Sequence, residues 1–515
     1  MRAFALQLLM CVVAHSLVQR QHLHAEAQVG LARSAMRHTA RRASRAAPHS
    51  NFGRMLQGLP HAAGNCVGND GGNSSSGASP VIAVAAFGAD PTGVADSSDA
   101  FDAALAAAIA QTAPRLMASR IRDLGGVRID LQGGDYALSR PFRVPQWLGN
   151  FKIGGGSVRA LPSFPRDRYL IEVGGNATAC ALADHGQKSC NANVGIEDLL
   201  VDGGNGTALG GILLNQTMGG NVGPDLYVVG FNRSGITVHG GHEVMLHEAW
   251  FGTTYYDHKD KVALGCGATA VELFGNDHVV SDVVVFAGQT GVRTTGGANL
   301  IEGVHTWNSG TTAPPCTGHG ILVQAPSTRV LNVYLDYTAL VIESGAKPRN
   351  AHVSVADSFF LGMGTIVLCA TAPQSKIEGL VLTDNTWNSV NMPHNATVVL
   401  DERHGNAFTS VLDFVMLANI APKALFDPRA TTVTKELSLA NATRWDFDFS
   451  DVLVFPGVDI VSARYSIEID GSAFARHAAR KPVGQTVAVE TDVPVDAKVT
   501  ITVTQSRFTA GNGPF

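Results

Sequence analysis

The sequence predicts an all-β solenoid: a single-stranded right-handed parallel β-helix with an N-terminal capping helix and a small C-terminal β cap. Three observations lead there. A short β-branched phrase recurs between Pro224 and Trp387 and closes on Phe231, Phe251, Phe286, Trp307, Tyr337, Phe360 and Trp387, spaced by 20, 35, 21, 30, 23 and 27 residues. A second phrase precedes it in each repeat: Gly235-Ile-Thr-Val-His239, Ala270-Val-Glu-Leu-Phe274, Gly291-Val-Arg-Thr-Thr295, Gly320-Ile-Leu-Val-Gln324, Leu340-Val-Ile-Glu343 and Ile366-Val-Leu-Cys369. Both alternate apolar with variable positions and are separated by Gly and Asn turns, so each repeat supplies short strands rather than a helix. Repeats of 20–35 residues with insertions of variable length mark coils stacked around a shared interior. The closing aromatics are expected to stack inside or along one edge of the coil, with a sugar-binding platform as the alternative.

Composition agrees. Of 515 residues, 56 are glycine and only 16% are charged, which suits a turn-rich β protein and excludes a coiled coil or a disordered chain. The formal charge of −5 shows no basic excess, so no nucleic acid is expected as a partner. No cofactor and no metal site is expected, because no Cys/His spacing resembles a zinc site.

The elements follow in order. Arg2 and the apolar run Ala3 to Ala14 have the size of a signal-peptide core, giving an approximate signal peptide over 1–27 and no membrane span after its removal. An organelle transit peptide is the rival, because Leu31 to Arg54 is Arg-rich and acid-poor. Seven Asn-X-Ser/Thr sequons, at Asn73, Asn176, Asn205, Asn215, Asn232, Asn395 and Asn441, favour the secretory route and an extracellular glycoprotein. Without Cys11, six cysteines remain: Cys66, Cys180, Cys190, Cys266, Cys316 and Cys369. That even number permits disulfides, and Cys180 with Cys190 is the best single pair. Residues 28–80 read as a basic low-complexity segment and a Gly/Asn/Ser linker. A strand from Val81 leads to a helix capped at Ser97 or Ser98, with Phe101, Leu105 and Ile109 on one face to cover the open end of the solenoid. The helix coils span 81–440. Beyond Asn441 the phrases stop, and alternating strands over 441–515 read as the C-terminal β cap.

The segment Phe87-Gly-Ala-Asp-Pro-Thr-Gly93, followed by Asp96 and Asp99-Ala100, resembles the opening motif of pectate-lyase-superfamily β-helix proteins. Ile121 to Tyr136, Arg168-Tyr-Leu-Ile-Glu172, Gly241-His-Glu243, Gly275-Asn-Asp277, Ala298-Asn-Leu300, Gly303-Val-His305 and Tyr334-Leu-Asp-Tyr-Thr338 resemble the plant QUARTET-type polygalacturonases. The resemblance spans about Val81 to Gln505. It implies a secreted, pectin-directed glycoside hydrolase acting on de-esterified pectin or a related acidic polysaccharide; the polysaccharide is the expected partner, and the chain is expected to be a monomer. Other polygalacturonases carry Asn-Thr-Asp, Asp-Asp, Gly-His-Gly and Arg-Ile-Lys motifs. Here only Gly318-His-Gly320 matches, which makes His319 a candidate and leaves the acids to be found elsewhere.

Inverting hydrolysis needs a carboxylic acid and a carboxylate roughly 6.5–9.5 Å apart. Coils stack about 4.8 Å apart, so acids on adjacent or next-adjacent coils qualify. Gly241-His242-Glu243, Gly275-Asn276-Asp277 and Ala298-Asn299 occupy corresponding turns, which selects Asp277 and Glu243 as the acid/base pair with His242 and Asn299 in support. Hydrogen bonds to neighbouring backbone are the structural alternative for such turn residues. Arg293, Lys347 and Arg349 are candidate uronate-binding residues. Glu272 and Arg293 are expected to pair on the surface, whereas Asp336 and His305 need not meet. Two rival functions share the fold: a calcium-dependent pectate lyase and a non-catalytic polysaccharide-binding glycoprotein.

Overall fold

The computed structural model describes residues 80–507, apart from 118–119, 176–179, 181–188, 253–267, 287–288, 308–318, 348–350, 363, 389–394, 423–425, 428 and 473. The signal segment, the basic linker, Asn73, Asn176, Arg349, Cys66, Cys266 and Cys316 therefore lie outside the described residues.

The chain forms the right-handed parallel β-helix that its repeats predict. Ten parallel strands, one per coil, make the front sheet, running from Phe142–Val144 through Gly210–Asn215, Ser234–His239, Thr269–Leu273 and Thr290–Thr294. It continues through His319–Val323, Ala339–Ser344 and Ile366–Ala370 to Val398–Asp401. Ile212, Ile236, Val271, Val292 and Ile321 stack in register and are buried, while Leu213, Thr237, Glu272, Arg293 and Leu322 form the alternate, outward row.

Most of the remaining coil strands belong to a twenty-stranded sheet, while Ser375–Glu378 pairs separately with Phe408–Leu412 and Asn395–Ala396 with Phe426–Asp427. Within the twenty-stranded sheet a left-handed residue bends the chain once per coil, at Glu248, Asp282, Gly303, Asn332, Asp357 and Asp384, with φ between 47° and 62°. Asn, Asp and Gly tolerate that conformation best, which explains why four of these six bends carry Asp or Asn. The bend also sorts the recurring aromatics, which do not form the single row expected from the sequence. Phe251, Phe360 and Trp387 fall three residues after their bends and are fully buried. Phe286 and Trp307 fall four residues after theirs and are half-exposed on the outside. Phe360 and Trp387 stack inside with ring centroids 4.8 Å apart and planes at 8°.

Backbone donors just after left-handed residues meet buried side chains stacked one coil away. His278 Nδ1 accepts from Val244 N at 3.1 Å, and Asn299 Oδ1 accepts from His278 N at 2.8 Å. Asn385 Oδ1 likewise accepts from Ser358 N at 3.1 Å. Each keeps a buried amide from being orphaned, at a position where no ladder partner exists.

The N-terminal end is covered by α1 (Ser98–Gln111), whose Phe101 packs edge-on against Tyr136 and Phe142 at 5.5 and 5.3 Å. The serine cap expected there is not formed. Ser97 Oγ instead accepts from Asp90 N, and Asp96 Oδ1 accepts from Ser98 N and Ser98 Oγ. At the other end Thr432–Asp448, Thr486–Thr504 and Ser462–Ile469 form an antiparallel sheet over a second core of Trp445, Phe449, Val489 and Ile501. This sheet begins at Thr432, ahead of the expected boundary at Asn441, because the alternation of Thr432 to Leu439 reads like one more coil strand. Cys180 and Cys190 form a disulfide with Cα atoms 5.4 Å apart. Among the described residues no helix is long and apolar enough to cross a membrane.

Candidate functional site

The outward rows of the front sheet carry most of its polar chemistry. Thr237, 5% exposed, joins Tyr169 Oη at 2.8 Å, Ser234 Oγ at 2.9 Å and Glu272 Oε2 at 3.1 Å. Arg293 lies 3.9 Å from Glu272, passes 6.0 Å from the Phe274 ring centroid, and donates from Nε to Gln324 Oε1 at 2.8 Å. Gln324 Nε2 donates in turn to Glu343 Oε2 at 2.8 Å. The expected Glu272–Arg293 pair therefore exists, as a long contact within a larger network.

At the C-terminal ends of the last three strands, Glu343, Cys369 and Asp401 stack in one outward row. Glu343 and Asp401 are two rungs apart, about 9.6 Å at the coil spacing. Arg403 holds Asp401 with Nε at 2.7 Å and Nη2 at 2.5 Å, and this charge-assisted bond keeps the carboxyl below its ordinary range despite partial burial. Cys369 is a free thiol 3.9 Å from Asp401. Burial first, then the two flanking carboxylates, push its pKa up to about 11, so it fills the gap as a small neutral group and is no nucleophile.

The turns leaving the front sheet hold the residues selected from the sequence. His242 pairs with Asn276 in register, which stacks Glu243 against Asp277 one rung away. Both acids are exposed and left-handed, with φ of 57° and 62°. Asp277 Oδ2 accepts from Asn276 Nδ2 at 2.5 Å and lies 3.7 Å from His242 Nδ1. Asn299 does not join them. It is fully buried, and its Nδ2 is spent on Thr294 Oγ1 and the carbonyls of Gly275 and Gly296. The one-residue offset from the left-handed Ala298 turns it inward.

His319 opens its strand half-buried, and burial holds it below the ordinary histidine range, with Glu343 opposing. Lys347 is exposed. His305 Nε2 and Asp336 Oδ2 do meet, at 3.2 Å, on the outside of the twenty-stranded sheet, because the ladder partner of His305 is Tyr334, two residues before Asp336 on the same face. Asn205, Asn232 and Asn441 are exposed, whereas Asn215 is half-buried with Oδ1 3.3 Å from His239 Nδ1. Asn395 lies in the strand Asn395–Ala396.

Sequence reasoning missed Asp401, Cys369 and Gln324. A signal was present: Leu340-Val-Ile-Glu343 and Ile366-Val-Leu-Cys369 continue as Val398-Val-Leu-Asp401. Among the described residues no group of three or more His, Cys, Asp or Glu side chains is placed to hold a metal ion. The cleft lined by Trp387, Met416, Leu417, Arg429 and Val452 beside the C-terminal sheet contains no pair of acids.

These features define a parallel β-helix protein with a long, polar, carboxylate-bearing outer sheet. The chain is 34% identical over 432 residues to polygalacturonase QRT3 of Arabidopsis thaliana, covering 82% of this chain and 84% of that protein. It belongs to the QRT3-type polygalacturonase family. No family model matches it. Similar solved structures include ORF18 of Geobacillus virus E2, with 14% identity, a TM-score of 0.48, and coverage of 82% of this chain and 76% of that one. The tailspike protein of E. coli bacteriophage HK620, in complex with a pentasaccharide, gives 11% identity, a TM-score of 0.42, and coverage of 82% and 93%. The A-module of Azotobacter vinelandii mannuronan C-5 epimerase AlgE6 gives 12%, 0.39, and coverage of 66% and 95%.

Proposed function

We propose that this chain is a secreted polygalacturonase-type glycoside hydrolase that cleaves galacturonan, in pectin or a related acidic polysaccharide, by inversion. Family membership supports the substrate class. The observation that carries the mechanism is the spacing of Glu343 and Asp401, two rungs apart on one outward row with only a thiol between them. That backbone separation, about 9.6 Å, is just above the roughly 6.5–9.5 Å between carboxyl groups that an inverting pair needs to admit a water.

Asp401, kept ionised by Arg403, serves as the base. A water loses a proton to it while the water oxygen attacks the anomeric carbon. The bond from that carbon to the leaving oxygen breaks, and Glu343 delivers a proton to the leaving oxygen. Asp401 ends protonated and Glu343 ionised, and exchange with solvent restores both. Arg293 on the sheet, and Lys347 in the turn after the strand Ala339–Ser344, receive substrate carboxylates. The chain works without a cofactor and as a monomer. Extracellular action is supported by the signal-like N-terminus and by the Cys180–Cys190 bridge, a bond that persists in oxidising compartments.

A second reading keeps Glu243 and Asp277, because the register stacks them beside His242. One rung is about 4.8 Å, close to the roughly 5–5.5 Å of a retaining pair, so this reading entails retention instead of inversion.

The test is digestion of polygalacturonate, with and without EDTA, by the wild type, Glu343→Gln, Asp401→Asn and the double variant Glu243→Gln/Asp277→Asn. Reducing ends and the absorbance of unsaturated products are followed together. The proposal expects EDTA-insensitive reducing ends without unsaturation, lost about a hundredfold or more in each of the first two variants and kept in the double variant. Loss in the double variant alone moves the chemistry to the turns. Calcium-dependent unsaturation makes the chain a lyase, and binding without products makes it a polysaccharide-binding protein.

A further inference from the structure

Between the acid Glu343 and the cation best placed to meet a uronate lies one neutral side chain, Gln324, bonded to both. Its amide has one acceptor and one donor end, and the two neighbours fix which end is which. Arg293 Nε only donates, so Oε1 of Gln324 must face it, at 2.8 Å. The NH2 end then has no choice but to face Glu343 Oε2, also at 2.8 Å. Arg293 is itself held on three sides, by Glu272 at 3.9 Å, the Phe274 ring at 6.0 Å and Gln324. Its guanidinium has five donors, and these contacts leave others for a carboxylate on a bound sugar.

We propose that Gln324 is a positioning residue. It locks the orientation of Glu343 and ties that orientation to the arginine that reads the substrate's uronate. This inference rests on the reading of Glu343 as the acid, and it deepens that reading by making a uronate next to the scissile bond part of the proton-delivery geometry. An uncharged or fully methyl-esterified chain binds without engaging Arg293 and leaves the relay unsupported.

Three variants test it on polygalacturonate: Gln324→Leu, Gln324→Glu and Arg293→Ala/Gln324→Leu, with Arg293→Ala and Glu343→Gln for reference. Gln324→Leu removes both amide bonds without adding a charge, whereas Gln324→Glu keeps the acceptor facing Arg293 and replaces the donor to Glu343 with a second carboxylate, so the two variants separate loss of the donor from added charge. Expected is a fall in kcat of about 10- to 100-fold in Gln324→Leu and in Gln324→Glu. KM should stay within about twofold for Gln324→Leu, which adds no charge beside Arg293, and circular-dichroism melting of both Gln324 variants should match the wild type. The double variant should lose little more kcat than the worse single variant, because residues acting as a unit are not additive. Unchanged kcat in both Gln324 variants overturns the inference, as does a double variant whose losses simply multiply. If Glu343→Gln itself stays active, the reading of the acid has failed, and the relay fails with it for that distinct reason.

Discussion

His278 sets up a measurable link between pH and the stability of the solenoid. It is 1% exposed, its Nδ1 accepts from Val244 N at 3.1 Å, and its Nε2 has no partner among the described residues. Burial first, and the nearby His242 second, bring its pKa down from 6.5 to about 4, against a raising influence from Asp277. The folded value lies below the unfolded one, so the unfolded chain takes the extra proton. Stability is therefore full above about pH 6.5 and is lost as pH falls toward 4. Two-state linkage with those values gives a loss of about 0.8 kcal/mol at about pH 6 and about 2 kcal/mol at about pH 5. The substitution His278→Asn isolates this contribution. Asparagine presents an acceptor where Nδ1 stood, as Asn299 already does one coil along, and it does not titrate. Urea unfolding followed by far-UV circular dichroism at about pH 7, 6 and 5 should show the wild type losing roughly 2 kcal/mol more than His278→Asn between the extremes. Parallel losses in the two proteins refute the reasoning, because they mean that the buried imidazole carries no depressed pKa.

Other expectations follow from the same geometry. Arg403→Ala removes the bond that keeps Asp401 below its ordinary range, so the acid limb of the kcat/KM profile on polygalacturonate should move to higher pH; an unmoved limb removes Asp401 from the base role. Cys369→Phe places a ring in the gap between Glu343 and Asp401 and should cut kcat/KM about a hundredfold, while Cys369→Ser keeps activity, as initial rates will show. Trp387→Ala empties an interior stack against Phe360 and should cost about 3–5 kcal/mol in chemical denaturation. Trp387→Phe should cost less, because the lost indole N–H has no hydrogen-bond partner among the described residues.

The β-helix itself was legible because its cause is periodic. β-Branched phrases every 20–35 residues, closed by Gly and Asn, leave the chain little alternative to stacked coils. What the repeats do not encode is which side of the wall a residue faces. A left-handed residue at each bend resets the alternation, so one extra position separates buried Phe251 from half-exposed Phe286. The same offset sends Asn299 into the interior while Asp277, one coil earlier and one position ahead in register, stays in solvent. His305 and Asp336 meet although their places in the phrase differ, because the ladder pairs His305 with Tyr334 and so sets Asp336 two residues along on the same face. Asp401 was hidden differently. Its strand repeats the pattern of Leu340 to Glu343, but the residue type at the outward position changes from Glu to Cys to Asp, so only the position recurs.

The stereochemistry of the first-formed product tests the central claim most directly. Proton NMR of a galacturonan digest, recorded before mutarotation equilibrates the new reducing ends, reads the anomer released from the α-linked chain. Hydrolysis by Glu343 and Asp401, two rungs apart, predicts the β anomer first. The α anomer first contradicts it and points to the one-rung pair Glu243 and Asp277.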